Sequence, residues 1–320
     1  MSLLLAPLAL LVERIWGYPD SVMRAIGHPV MWVGALIAML DRRFNKSSLD
    51  PQKRRDRGVV CLAVVLVAVF VPSFAIQQIL RAMPFGWVLE AILATAFLAQ
   101  KELGRAIAAV ADGLERSLAD GREAVSHVVG RDPQRLDEAG VSRAAVESLA
   151  ESTSDGVVAP FFWLFIFGLP GIALYKAINT ADSMVGHRDE RYAEFGWASA
   201  RLDDLVNLVP ARLSAGLIVI AAILMPGASP PRAWQTAQRD ASKHQSPNAG
   251  WPEAAMAGAL GMALGGPRSY DGEMVDLPTM GDGRKTLGPA DIRQALTLYR
   301  GTLNILLGAA LIVALALPAL

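Results

Sequence analysis

RGVVCLAVVLVAVFVPSFAIQQILR, residues 57–81, decides the fold class. Gly58 to Leu80 carries no charge, and its β-branched interior would suit a strand in a soluble protein. A bilayer core about 30 Å thick takes about 20 apolar residues per helix at roughly 1.5 Å of rise each. Hydrocarbon offers no partner to a backbone amide or carbonyl, so only helices and closed barrels cross it. The run is therefore expected to be a spanning helix.

On its N-terminal side lies DRRFNKSSLDPQKRRDR, residues 41–57, a basic loop that the positive-inside rule places in the cytoplasm. Further apolar runs follow at Ala82 to Gln100, interrupted by Glu90, and at Gly156 to Tyr175, Leu213 to Pro231 and Gly301 to Leu320, which carry no charge. Leu3 to Val12 and Ala25 to Leu40 are shorter, as expected of tilted, interfacial or re-entrant segments. The N-terminus lacks a basic start and an evident cleavage site, so it is expected to be retained. The reading is an all-α, polytopic helical membrane protein: one integral membrane domain over 1–320 with four to seven membrane segments. Cytoplasmic helical and loop segments form its site.

Composition agrees. Of 320 residues 53% are hydrophobic and 19% charged, and the mean hydropathy is +0.35. Lys plus Arg and Asp plus Glu balance at 30 each, without the basic excess that nucleic acid requires. The single cysteine, Cys61, excludes an intramolecular disulfide and a cysteine-based zinc staple. Three polar stretches remain. Residues 101–155 have helical spacing and are expected to form one or two amphipathic cytoplasmic helices, broken near Gly130, Asp132 and Pro133. Residues 176–212 and 232–300 are rich in Gly, Pro, Asp and Arg, and are expected to form the site.

In SRAAVESLAESTSDGVVAP, residues 142–160, Glu147, Glu151 and Asp155 stand four apart, a carboxylate stripe if the helix is continuous. Oxygen ligands of this kind suit Mg²⁺, which is usually held by one or two carboxylates plus substrate phosphate. A solvated face with Arg143 pairing Glu147 is the plainer alternative; Asp155, next to an uncharged run, fits it least. INTADSMVGHRDERYAEFGWASARLDDLVNLVPARL, residues 178–213, is dense in both signs, and arginine forks with carboxylates suit phosphorylated substrates. DASKHQSPNAGWPEAAMAGALGMALGGPRSYDGEMVD, residues 240–276, adds Lys243, His244, Asn248, Glu253, Arg268, Tyr270 and Asp271 among glycines that let a backbone approach a ligand. GDGRKT, residues 281–286, lacks phosphate-loop spacing, and the four histidines form no paired metal motif.

The sequence resembles the adenosylcobinamide-phosphate synthase family of the late corrin pathway over nearly its whole length. The resemblance rests on GHPVMWVGALIAMLDRRFN (27–45), AAVESLAESTSDGVVAPFFW (144–163), the whole of 178–213, SPNAGWPEAAMAGALG (246–261) and LGGPRSYDG (264–272). Met31 and Thr153 are local departures that remove no group given a chemical role. The resemblance implies ATP-dependent condensation of adenosylcobyric acid with (R)-1-amino-2-propanol phosphate or ethanolamine phosphate. ATP and Mg²⁺ are the implied cofactors, with cobalt only inside the corrinoid. It implies a multi-pass protein of the inner membrane, in contact with the lipid bilayer and not with nucleic acid. It leaves room for a homo-oligomer or for association with other late-pathway cobalamin enzymes.

Such chemistry needs ATP to activate an inert carboxylate for attack by an amine, and cations and carboxylates to position phosphates. By that need, within the matching segments, the candidate catalytic residues are Asp155, Glu151, Asp182, Asp204 and Lys243. Candidate substrate and phosphate contacts are Asn179, Arg188, Arg191, Arg201, Asn248, Arg268 and Tyr270, and candidate Mg²⁺ ligands are Glu147, Glu151, Asp155 and Asp203. A corrinoid transporter and a non-catalytic membrane sensor or regulator of the same fold are the competing readings. A shared cytoplasmic site requires Gly156 to Tyr175 to be a re-entrant hairpin, turning at Gly168, Leu169, Pro170 and Gly171, and Leu213 to Pro231 to insert only partly.

Overall fold

The computed structural model describes residues 3–129, 133–266, 268–270, 273–275 and 278–316, without the side chains of Asp20, 268–270 and 273–275. In chain order the helices are α1 (Leu5–Trp16), α2 (Asp20–Ile26), α3 (Pro29–Phe44), α4 (Pro51–Arg81), α5 (Gly86–Ala94), α6 (Gln100–Arg116), α7 (Leu118–Ser126), α8 (Glu138–Thr153), α9 (Ala159–Phe167), α10 (Leu169–Val185), α11 (Trp197–Ile223), α12 (Pro230–Asp240), α13 (Gly250–Leu260) and α14 (Pro289–Ala316). Short strands occur only within 264–280 among the described residues: β1 (Leu264–Gly265) pairs antiparallel with β4 (Thr279–Met280), and β2 (Arg268–Tyr270) with β3 (Glu273–Val275). The fold is all-α. Ser21–Phe44, Pro51–Arg81, Trp197–Ile223 and Pro289–Ala316 are long and apolar enough to cross a membrane.

Contacts divide the chain into two compact units: Met1–Ala99 with Ala159–Asn207 and Ala310–Leu320, and Gln100–Val158 with Leu208–Ala309. In the first unit α4 starts at Asp50, whose side chain accepts from Lys53 N, with Pro51 in the first turn where its missing N–H is harmless. Its inner face packs Cys61, Leu62 and Val65 against Ile37 and Leu40 of α3, Ala177, Ala181 and Val185 of α10, and Phe195. Its outer face leaves Val60, Val64, Val67 and Val71 exposed at helical spacing, as a lipid-facing stripe would be. Gly58 admits the loop beyond α10, since a Cβ there would sit 1.9 Å from the Phe195 carbonyl oxygen.

The run Gly156 to Tyr175 is not one spanning helix. α9 is about 13 Å long at 1.5 Å per residue, and Gly168, at φ 71°, reverses the chain into α10. The two helices lie so close that a Cβ on Gly171 would meet the Trp163 carbonyl at 2.3 Å. The new N-terminus is capped from another helix: buried Glu90 of α5 accepts the Leu169 N–H at 3.0 Å. The expected turn between two helices is present at Gly168, and the first turn of α10 has a buried polar partner.

Other expectations change. Ala82 to Gln100 makes only the nine-residue α5 and a 3₁₀ turn at Thr95–Phe97, too short to span. Leu213 to Pro231 is no separate partial insertion: its first part completes the 27-residue α11, which is long enough to cross. Within the basic segment only residues 45–50 lie between helices, because α3 runs to Phe44 and α4 starts at Pro51. Residues 101–155 hold three helices, with a break at Ser117, whose hydroxyl caps α7 through Asp120 N. The second break lies between Ser126 and Glu138; Gly130 and Asp132 fall outside the described residues.

In the second unit α12 packs on α13, where Gly258 lets the Arg232 carbonyl approach to 2.4 Å of a would-be Cβ. Val110, Leu149, Met256 and Ile292 are fully buried in its interior.

Gly168→Ala tests the hairpin. Its Cβ would lie 2.6 Å from Gln77 Oε1 and 2.8 Å from Glu90 Oε1, on a left-handed backbone. The expected destabilisation is about 1–3 kcal/mol, read as a lower melting temperature in detergent. Gly216→Ala, with nothing within 4 Å, serves as control. Equal melting temperatures for both variants would show that the turn does not hold the unit.

Candidate functional site

In the first unit α10 and α11 face each other through polar side chains. Tyr175 donates its hydroxyl to Asn207 Oδ1 at 2.9 Å. Asn207 Nδ2 donates to Asp203 Oδ2 at 3.0 Å, and Asn179 Nδ2 reaches Asp203 Oδ1 at 3.5 Å. Lys176 Nζ donates to Asn179 Oδ1 at 3.3 Å. Asp203 thus sits nearly buried between two amides, each of its oxygens accepting one hydrogen bond. A carboxylate has about four lone-pair sites, so capacity remains for a cation. Asp182 stands within electrostatic reach of Asp203 and Asp204, and Arg201 and Arg188 act on Asp204. The structure therefore brings Asn179, Asp182, Arg188, Arg201, Asp203 and Asp204 into one neighbourhood.

Arg191 has a different task. It pairs with buried Asp41 at 2.6 Å and lies over the Tyr192 ring at 4.9 Å. Asn45 Nδ2 donates to the Arg191 carbonyl at 3.1 Å, Arg54 donates to the Glu190 and Arg191 carbonyls, and Arg55 pairs with Glu194 at 2.9 Å. These contacts fasten residues 186–196 to the ends of α3 and α4.

In the second unit Glu147 Oε1 accepts the Gly265 N–H at 2.6 Å, while Arg143 Nη1 donates to the Gly265 carbonyl at 3.3 Å. Glu147, a candidate metal ligand, holds the LGG turn. Glu151 is exposed, and Asp155 is half-buried in a π-helical turn, Ser154–Val158. The wider turn takes Asp155 off the line that Glu147 and Glu151 would share on a continuous α-helix. Among the described residues no three His, Cys, Asp or Glu side chains are grouped as metal ligands, neither Glu147, Glu151 and Asp155 nor Asp182, Asp203 and Asp204.

Lys243 pairs with Asp240 at 2.6 Å. Arg239 grips both oxygens of the same carboxylate at 2.8 Å, and the Gly281 N–H reaches it at 2.8 Å. The Arg239 fork, then Lys243 and the Gly281 amide, hold the Asp240 carboxyl far below the usual carboxylate range against the opposing effect of burial. Asn248 is buried, with its N–H on Ser246 Oγ at 3.2 Å, and Arg212 stacks on Trp251 at 4.8 Å. The side chains of Arg268 and Tyr270, and Asp271 as a whole, lie outside the described residues.

The family model described as CobD/Cbib protein matches residues 6–299. The chain belongs to the CobD/Cbib family. It is 46% identical over 317 residues to cobalamin biosynthesis protein CobD of Sinorhizobium sp, covering 98% of both chains. With the protein of that name from Rhodobacter capsulatus it shares 49% over 295 residues, 90% of both chains. With that of Brucella suis biovar 1 it shares 45% over 312 residues, 96% of this chain and 95% of the relative. No solved structure matches.

In this CobD/Cbib chain Tyr175, at the end of an apolar run, and Lys176 join the cluster without belonging to a motif. Their spacing from Asn179, three and four residues along one helix face, was the available signal. In the sequence Arg54 and Arg55 read only as positive-inside charges, and Asp41 carries no signal of its own.

The Asp240 hub predicts a pH dependence. A carboxyl whose pKa is lower folded than unfolded stabilises the fold fully above its unfolded value, about 4, and loses that contribution as pH falls through the folded value. Asp240→Asn should therefore melt well below wild type at pH 7, with the gap narrowing below about pH 4. Thermal unfolding in detergent across pH 3–7 checks this; a gap independent of pH would assign the loss to packing.

Proposed function

We propose that this chain acts in cobalamin biosynthesis as an adenosylcobinamide-phosphate synthase, forming an amide between adenosylcobyric acid and an amino-alcohol phosphate with ATP and Mg²⁺. The observation that carries this is the family match across residues 6–299, together with relatives covering both chains almost end to end that are called cobalamin biosynthesis proteins. The candidate site is compatible with it. Phosphoryl transfer to a carboxylate needs positioning and charge neutralisation more than a protein nucleophile. The cluster on α10, α11 and the intervening loop provides carboxylates, amides and cations together.

Mg²⁺ would supply neutralisation of the nucleotide phosphates; Asp203, with Asp182 or Asp204, would hold it, since one or two carboxylates suffice beside phosphate oxygens. Asn179 and Asn207 orient the Asp203 carboxylate through its two oxygens. Arg188 and Arg201 would take the phosphate of the amine substrate. The activated carboxyl is then attacked by the amine nitrogen, phosphate leaves, and the nitrogen loses a proton. Lys243 and Arg191, expected as catalytic and phosphate-binding residues, we assign instead as structural anchors through Asp240 and Asp41.

Purified protein given ATP, Mg²⁺, adenosylcobyric acid and (R)-1-amino-2-propanol phosphate or ethanolamine phosphate should release the amide, detected by mass spectrometry. A transporter or sensor would leave all reactants unchanged. Asp203→Asn should lower kcat roughly 10²-fold, and chelation of Mg²⁺ should abolish turnover. Arg188→Lys and Arg201→Lys should raise KM for the amine phosphate, because the planar fork is lost while charge stays. Arg191→Lys should mainly lower thermal stability. Wild-type kinetics in Asp203→Asn, or a KM effect confined to Arg191→Lys, would overturn the site assignment.

A further inference from the structure

The basic segment 41–57 divides into two groups of cations once their partners are known. Lys53 pairs with Asp50 at 3.0 Å, Arg55 with Glu194 at 2.9 Å, and Arg54 is taken up by Asn45 and by the backbone carbonyls of Glu190 and Arg191. Arg42, Arg43, Lys46 and Arg57 have no carboxylate partner among the described residues. Lys46 and Arg57 donate only to backbone carbonyls, of Arg42 at 2.7 Å and Phe44 at 3.4 Å. Arg42, Arg43 and Lys46 are exposed, and Arg57 half so.

Position decides what such cations would meet. On α3, Trp32 and Met39 are exposed at 54% and 51%, and Arg42 and Arg43 continue the same face three and four residues further on. On α4, Arg57 leads into the exposed stripe of Val60, Val64 and Val67. Two apolar faces on helices long enough to cross a membrane thus both end in unpaired cations on one end of the first unit. The chemical boundary along each helix, from aliphatic to cationic, is the boundary between acyl chains and phosphates in a leaflet.

We propose that Arg42, Arg43, Lys46 and Arg57 form a binding collar for the headgroups of anionic phospholipids at the cytoplasmic leaflet. Charge complementarity favours an anionic over a zwitterionic lipid, and the apolar faces below the collar favour a lipid over a soluble anion. Neither argument depends on the reaction assigned to the protein. A cation at an anionic leaflet contributes enough to change relative lipid affinity about fivefold.

The test uses the full chain in nanodiscs of phosphatidylcholine containing a minority of phosphatidylglycerol, with the lipids retained after gentle extraction counted by mass spectrometry. Wild type should retain phosphatidylglycerol several-fold above its share. Arg42→Gln with Arg43→Gln should reduce that enrichment several-fold, to near the share of phosphatidylglycerol in the disc, with about fivefold per cation as the ceiling. Lys53→Gln, which removes a paired cation, should leave it unchanged. If a variant lacking all four cations fails to fold, the double variant, confined to two exposed unpartnered side chains, carries the result, and Arg42→Lys with Arg43→Lys should restore enrichment. No enrichment in wild type, undiminished enrichment in the double variant, or displacement of the lipid by inorganic phosphate or ATP would overturn the proposal; the last would make the collar a site for soluble phosphate.

Discussion

Leu169 N–H needs an acceptor. It opens α10 immediately after Gly168, buried in a stretch of chain made of Phe, Trp, Leu, Ile, Pro and Gly, whose side chains offer no acceptor. Glu90 provides the acceptor from α5, and the positive end of the α10 dipole suits a carboxylate there. Because that turn is satisfied, α9 and α10 can lie side by side. Because they do, α10 delivers Lys176, Asn179 and Asp182 to the face of α11 that bears Asp203 and Asn207. The polar cluster is thus a downstream result of one capped helix terminus about two turns away.

Different parts of this arrangement were legible to different degrees. α4 could be read directly, since hydrophobic length and lack of charge determine a spanning helix without reference to neighbours. The reversal at Gly168 was also legible, because Gly and Pro act on the backbone locally. Length alone misjudged Ala82 to Gln100, where Phe85 adopts a left-handed conformation and the chain turns early. It also misjudged Leu213 to Pro231, whose helix had begun sixteen residues earlier within a charged segment. Charged residues inside a helix hide its continuity from a count of apolar ones.

The candidate site shows the same division. Dense alternation of sign in 178–213 pointed to the right segment, yet could not separate Arg188 and Arg201, which face Asp204, from Arg191, which faces Asp41 150 residues away. The stripe of Glu147, Glu151 and Asp155 assumed a constant helical pitch, and a π turn at Ser154–Val158 breaks that assumption. Glu147 meets a backbone amide 118 residues on, a partner with no side-chain signature at all. Side-chain identity limits what a residue can bind; only the fold chooses among partners so distant in sequence.

The Glu90 to Leu169 hydrogen bond also has a history in time. The two residues are 79 positions apart, and at about 5–20 residues per second of synthesis the carboxylate leaves the ribosome roughly 4–16 s before its partner exists. Until then α5 carries an ionisable group in an apolar helix with no amide to receive, and membrane insertion of such a helix is unfavourable. α5 therefore gains this partner only once α9 and the start of α10 have been synthesised.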